Sequence, residues 1–218
     1  IDGMTFVKLN YLHWHVVDAQ LFPLAVGPFT SKIAYGLGQK GNNSGLSSSI
    51  VDSNGKVSSD PSNTFNGGAL SHEDVFNVND IQQIVEYARL RGIRVYPEMD
   101  TPGHVYCWKK GFPDIISCST EEYQGSATCP EPPCGFLNIK NKMKEVQTVV
   151  SNVLDETVKA FRLGVKGYAS NIHFGFDEVG CVKDSSGTCD NKASFGCSEA
   201  YGKYTIQYAN WLFGNHKA

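Results

Sequence analysis

Asn171-Ile172-His173-Phe174-Gly175-Phe176-Asp177-Glu178 is the stretch on which the reading of this chain turns. β-Branched and aromatic residues run into two adjacent carboxylates, the pattern of a strand that delivers paired acids to the rim of a pocket. Neighbouring side chains on a regular strand point to opposite faces, so both acids can serve one site only where the strand ends and the backbone turns. The pair therefore belongs at a strand's C-terminal mouth. Alone, an Asp-Glu dipeptide is more often a pair of solvated surface charges, so the rest of the chain has to decide.

Two other strand-like runs also end in polar clusters: Asn10-Tyr11-Leu12-His13-Trp14-His15-Val16-Val17-Asp18, and Ile93-Arg94-Val95-Tyr96-Pro97-Glu98-Met99-Asp100-Thr101-Pro102-Gly103-His104. Helix-length segments separate the three. Asn77 with Asp80 three residues on reads as a capping box, followed by Ile81, Ile84, Val85 and Ala88 at helical spacing and stopped by Gly92. Met143, Val146, Val150, Val153, Leu154, Val158 and Phe161 mark a second helix, and Tyr201, Tyr204, Tyr208, Trp211 and Leu212 a third. With residues 1–8 as the tail of an opening helix, the order is α-β-α-β-α-β-α, which predicts a parallel sheet. Each polar cluster falls at the same end of its strand, as a (β/α) barrel requires.

In order and spacing, Leu12-His13-Trp14-His15-Val16-Val17-Asp18, Tyr87-Ala88-Arg89-Leu90-Arg91-Gly92-Ile93-Arg94-Val95, Pro97-Glu98-Met99-Asp100-Thr101-Pro102-Gly103-His104 and Ile172-His173-Phe174-Gly175-Phe176-Asp177-Glu178 are similar to the successive motifs of the β-N-acetylhexosaminidases of glycoside hydrolase family 20. Four ordered motifs are far more specific than any one. The resemblance implies an α/β fold, a (β/α)8 TIM barrel of which this chain holds part, strands 2 to 4 with their helices over residues 1–218, with residues 36–68 as a loop insertion. The family's opening strand, with an arginine that grips the sugar hydroxyls, would precede Ile1. Its later strands, with the tryptophans around the acetamido group, would follow Ala218.

The activity implied is removal of terminal N-acetylhexosamine, GlcNAc or GalNAc, from glycans by substrate-assisted retaining hydrolysis through an oxazolinium intermediate. The substrate's own acetamido oxygen is the nucleophile, and no cofactor is expected; the histidines are not paired with carboxylates at ligand spacing on one element, so no metal is expected either. By position Glu178 is the general acid and base, and Asp177 accepts the acetamido N–H. The two acids need opposite protonation, which gives the division its chemical sense. Asp100 and His104 form a supporting pair, with the Pro102-Gly103 turn folding His104 back toward Asp100. Asp18 and His15 line the same rim as substrate contacts. More mundane readings stand beside these: His13 and Trp14 as packed barrel residues, His173 as a satisfied interior histidine, and Glu98 as a partner of backbone only.

Composition fits a secreted protein or one of the lysosomal or vacuolar lumen. With 19 basic against 22 acidic residues the net charge is −3, so there is no basic field for nucleic acid. No apolar run approaches the ~20 residues that cross a bilayer. Seven cysteines are many for a cytosolic chain. Cys118, Cys129 and Cys134 flank one loop and Cys181, Cys189 and Cys197 another, where disulfides could staple the mouth of the site; Cys107 reads as the free one. Asn42-Asn43-Ser44 is a glycosylation sequon, with Asn42 as acceptor. The partner expected is an N-acetylhexosamine-containing oligosaccharide or glycoconjugate, with a homodimer left open.

One local departure stands out: the family has Gly-Gly-Asp-Glu where this chain has Gly175-Phe176-Asp177-Glu178. It keeps alive two alternatives, a catalytically inactive carbohydrate-binding relative and an inactive fragment of the hydrolase. Strand alternation favours Phe176 packing outward beside Phe174 rather than into the sugar pocket.

Overall fold

The computed structural model describes residues 1–37, 67–71, 73–117, 135–162, 171–176 and 199–215. Its centre is a parallel pair: β1 (Tyr11–His15) and β2 (Arg94–Glu98), in register from Tyr11 opposite Arg94 to His15 opposite Glu98. Alternation divides the pair into two faces. Leu12 and Trp14 of β1 with Val95 and Pro97 of β2 turn toward the helices, where Val95 and Pro97 are buried. Trp14 meets Phe76 and Phe161 edge-on. Tyr11, His13 and His15 share the other face with Arg94, Tyr96 and Glu98.

The helices form where periodicity and caps predict them. In α3 (Val78–Arg89), Asn77 accepts hydrogen bonds from the N–H groups of Asn79 and Asp80, while the Asp80 carboxylate accepts from Asn77 N–H. Ile81, Val85 and Ala88 form its buried stripe, and Gly92, at φ +73°, supplies the left-handed turn that leads into β2. The longest helix, α4 (Met143–Phe161), buries Val146, Val150, Val153, Leu154 and Phe161. In α5 (Glu199–Asn215), Tyr208 and Leu212 are fully buried. The opening helix is the short α1 (Asp2–Phe6).

Three features depart from the sequence expectation. First, the third run is no regular strand over its described residues. It joins β2 through a single parallel bridge, His173 to Glu98, with His173 N–H donating to Pro97 O (2.9 Å) and Met99 N–H to His173 O (2.8 Å). Parallel direction and neighbour are as expected, while the length of pairing is not. Second, α2 (Pro28–Ala34) and a small antiparallel ribbon, β3 (Ile116–Ser117) with β4 (Phe136–Leu137), interrupt the simple alternation. The seven-residue α2 has too few residues to show a periodic stripe. It is fixed instead from a distance: the Glu156 carboxylate on α4 accepts from the N–H groups of Phe29 (2.9 Å) and Thr30 (2.8 Å) and from the Thr30 hydroxyl (3.0 Å). A Cβ on Gly27 would displace the Glu156 side chain, so glycine leaves room for the carboxylate that caps α2. Third, His13 is not a core residue. It lies on the open face of β1, stacked on Tyr96 with centroids 4.8 Å apart. Most of residues 36–68, the proposed loop insertion, lies outside the described residues.

Candidate active site

Two chain reversals build the site at the C-terminal ends of β1 and β2. After β1, Val16 and Val17 are buried and the backbone turns at Asp18, whose N–H donates to Leu21 O (2.9 Å). After β2 the chain buries Met99, Asp100 and Thr101, passes a cis Thr101–Pro102 bond and reaches His104 at φ +52°. Left-handed backbone at a non-glycine residue costs ~1–3 kcal/mol and persists where the surroundings hold it. Here the holding group is Asp18: its Oδ1 lies 3.0 Å from His104 Nδ1. The turn thus folds His104 back, as expected, but onto a different first partner. Asp100 stands further off, its Oδ2 4.0 Å from His104 Nε2.

His15 bridges the two carboxylates, with its Nε2 3.9 Å from Asp18 Oδ2 and 3.8 Å from Asp100 Oδ2. All four described site residues expected from sequence, His15, Asp18, Asp100 and His104, are therefore gathered at one end of the sheet. Asp177, Glu178 and the sequon Asn42 lie outside the described residues.

Beneath this rim is a group that sequence reasoning placed elsewhere. Glu98, read as a backbone partner, is buried and meets side chains from both neighbours. Its Oε2 is 2.5 Å from His13 Nε2 and its Oε1 is 3.3 Å from His173 Nδ1, with His15 Nδ1 3.9 Å from Oε2. His173 is partnered, as expected, yet its side chain is 48% exposed rather than interior. Parity was the available signal: Glu98 lies two residues before Asp100, and His13 two before His15, so each shares a face with a rim residue.

Three sets in this cluster bring ligand atoms within 4.8 Å of one another, His13 with Glu98 and His173, His15 with Glu98 and Asp100, and Asp18 with Asp100 and His104. A divalent cation fits such spacing. Within the cluster His104 Nδ1 and Asp18 Oδ1 form a hydrogen bond, and the other members are carboxylate–imidazole contacts at 2.5 to 4.0 Å.

Two further residues support the rim. The Cys107 thiol donates to Asp18 O (3.1 Å) and its N–H to Ala19 O (3.0 Å), backing the β1 turn. Burial pushes this thiol well above its ordinary range, so it stays protonated, and it forms no disulfide. From α5 the buried Tyr208 hydroxyl donates to Thr101 Oγ1 (3.0 Å), tying that helix to the β2 turn. The remaining cysteines of the expected loop staples lie outside the described residues.

Phe176 has φ +61°. Its ring stacks on Phe213 at 5.9 Å and meets Tyr208 at 6.0 Å, with Phe174 against both Phe176 and Phe213. This matches the expected outward packing and explains why a glycine suits the position: the backbone is left-handed there.

Residues 1–210 match the glycosyl hydrolase family 20 catalytic domain. The chain is 38% identical over 128 residues to the beta-hexosaminidase subunit beta of Felis catus, covering 59% of this chain and 18% of that protein. It is 32% identical over 179 residues to beta-hexosaminidase 3 of Arabidopsis thaliana, covering 82% of this chain and 24% of that protein. With the chitooligosaccharidolytic beta-N-acetylglucosaminidase of Bombyx mori it shares 33% over 183 residues, again 82% of this chain and 23% of the relative. The chain thus spans about a quarter or less of the curated relatives it matches. Among solved structures, the beta-N-acetylhexosaminidase of Bacteroides fragilis superposes with a TM-score of 0.53 at 21% identity, over 99% of this chain and 36% of that one, a likeness of fold. Ordered motifs, a parallel α/β core with its polar residues at one end, and a family match over nearly the whole sequence agree, and the chain belongs to glycosyl hydrolase family 20.

Proposed function

We propose that these 218 residues are part of a (β/α)8 barrel, and that the protein carrying them is a β-N-acetylhexosaminidase removing terminal GlcNAc or GalNAc from glycans. The observation that carries this is the convergence of Asp18, His104, Asp100 and His15 at the C-terminal ends of parallel strands in a family 20 chain. In the mechanism, the substrate's acetamido oxygen attacks its own anomeric carbon, so the protein supplies no nucleophile. Glu178 protonates the departing oxygen and then, as base, activates the water that opens the oxazolinium. Asp177 accepts the acetamido N–H and balances the positive charge that develops.

The described residues do supporting work. His104 has Asp18 on Nδ1 and lies with Nε2 4.0 Å from the buried Asp100 carboxylate, so two acids flank one imidazole. Asp18 and His15 are the rim residues that meet the sugar. Carbohydrate binding without turnover is the weaker alternative, because Phe176, the residue that motivated it, packs on α5. A secreted or luminal setting, disulfides over the site, glycosylation at Asn42 and a homodimer belong to the same proposal. Among the described residues no helix is long and apolar enough to cross a membrane.

The test is release of product from a chromogenic N-acetylglucosaminide by the whole enzyme. Glu178→Gln is expected to lower turnover by about 10² to 10⁴-fold, the usual worth of general acid catalysis. It should leave affinity for a thiazoline mimic of the cyclised intermediate nearly intact. Asp177→Asn is expected to weaken the mimic as well. Equal effects of both changes on mimic affinity would count against the assigned roles.

A further inference from the structure

Glu98 is the point at which three chain segments meet. β1 contributes His13 and His15, β2 contributes Glu98 itself, and the 171–176 segment contributes His173. Between β1 and β2 the register is fixed by five paired residues. Between β2 and the third segment the described pairing is one bridge, at the same residue, Glu98 opposite His173. The third segment's position therefore depends on that bridge, on the Glu98 side chain and on aromatic packing against α5.

The Glu98 side chain is 11% exposed, and the groups near it are His13 and His15 from β1, Asp100 just beyond the end of β2 and His173 from the third segment. A carboxylate offers only acceptors, so a protonated nitrogen is favoured where each ring comes nearest to it: His13 at Nε2, 2.5 Å away, and His173 at Nδ1, 3.3 Å away. That favours one tautomer on either side. The contacts continue toward the rim as an alternation of carboxylate and imidazole: Glu98 to His15 at 3.9 Å, His15 to Asp100 at 3.8 Å, Asp100 to His104 at 4.0 Å, and His104 to Asp18 at 3.0 Å.

We infer that Glu98 is a positioning residue: by holding His13 and His173 on its two oxygens and standing beside His15, it registers the third segment against β1 and orients the histidines beneath the sugar site. It touches no reacting atom. The inference rests on the hydrolase reading for its effect on rate, but not for its effect on the imidazoles. A displacement of about 1 Å at a site residue can cost on the order of 10²-fold in rate, which sets the scale of the effect.

The experiment compares Glu98→Gln and Glu98→Asp with wild type in the whole enzyme, measuring kcat and KM on a chromogenic N-acetylglucosaminide and, by nitrogen-15 NMR of histidine-labelled protein, which ring nitrogens carry protons. Glutamine is nearly isosteric but puts a donor where one ring also donates. For Glu98→Gln the expected result is a kcat lower by on the order of 10²-fold with KM little changed. At least one of the His13 Nε2–H and His173 Nδ1–H signatures should also be lost. Glu98→Asp keeps the charge on a shorter arm and should recover part of kcat and both proton positions.

Wild-type kcat together with wild-type tautomers in Glu98→Gln overturns the inference. So do equal losses in the two variants that track the fraction of folded protein. If wild type itself releases no product, the hydrolase reading fails, and the tautomers alone still support or overturn the role of Glu98.

Discussion

Two half-buried aromatic residues, Trp14 on β1 and Phe176 in the 171–176 segment, show how differently the neighbours of β2 are held. Trp14 sits in a regular strand, paired across five residues, with Phe76 and Phe161 edge-on to its indole. Its backbone is unstrained and its packing is surplus to a register already fixed by hydrogen bonds. Among the described residues Phe176 follows a single bridge, at His173; it has a left-handed backbone, and its ring is packed among Phe174, Tyr208 and Phe213. In β1 the backbone sets the position and the side chains add stability. In the third segment, side chains must set the position too.

The largest effect expected from this contrast is on the regular side. Trp14→Ala should destabilise the fold by about 3 kcal/mol, the lower end of the range for large aromatic truncations because the indole is only half-buried. Thermal melting checks it. Activity of the folded fraction should be little changed, since Trp14 faces the helices and not the site. A change in kcat as large as the loss in stability would mean that β1 is positioned by its side chains after all.

Phe176→Gly should be smaller, because two terms oppose. Loss of the stacked ring costs up to ~3–5 kcal/mol for a fully buried phenyl and less for this half-buried one. Relief of left-handed backbone returns ~1–2 kcal/mol. The expected net is destabilisation of about 1 kcal/mol, with no gain in hydrolysis rate. Parallel melting and rate measurements decide it. A faster enzyme of unchanged stability would show that the ring obstructs the sugar pocket.

The same contrast explains what could be read from the sequence. The helices were legible because each carries a local signal: the Asn77 and Asp80 box, the Gly92 stop, the valine stripe of α4, the tyrosine and leucine pair of α5. The strands and their shared direction were legible as well, from apolar runs that end in polar clusters. What was missed depends on partners distant in sequence. α2 is too short for periodicity and is capped by a carboxylate more than a hundred residues away, Glu156. His104 was paired with Asp100, four residues before it, when its close partner is Asp18 at the end of another strand. Glu98 was read as a backbone partner because its proline neighbour drew attention to the main chain, whereas its histidines come from β1 and from the third segment. The family resemblance located the rim residues. It did not say which of them touch.

The smallest effect concerns two buried neutral groups that back the two turns, Cys107 behind Asp18 and Tyr208 beneath Thr101. Burial raises both above their ordinary values, 9.0 for the thiol and 10.0 for the phenol. A group whose pKa is higher folded than unfolded holds more protons in the native state, so its stabilisation is complete below the unfolded value. It is lost as pH rises beyond that value, when the unfolded chain ionises and the native one does not. The protein should therefore lose stability on the alkaline side, beginning near the thiol's ordinary value and steepening near the phenol's. Cys107→Ala should flatten the first part of that fall and Tyr208→Phe only the second. The Tyr208 change should also cost about 1 kcal/mol at neutral pH through the lost hydrogen bond to Thr101. Because the Tyr208 ring also packs against Phe176, truncating that ring in Tyr208→Ala should loosen the third segment while leaving the β1–β2 pair unaffected. Amide exchange at neutral pH separates the two: protection at His173 and Met99 should drop, and protection within Tyr11–His15 should hold. Equal loss at both would show that the third segment and the strand pair open as one unit, and that the single bridge at His173 is as firm as the five-residue register beside it.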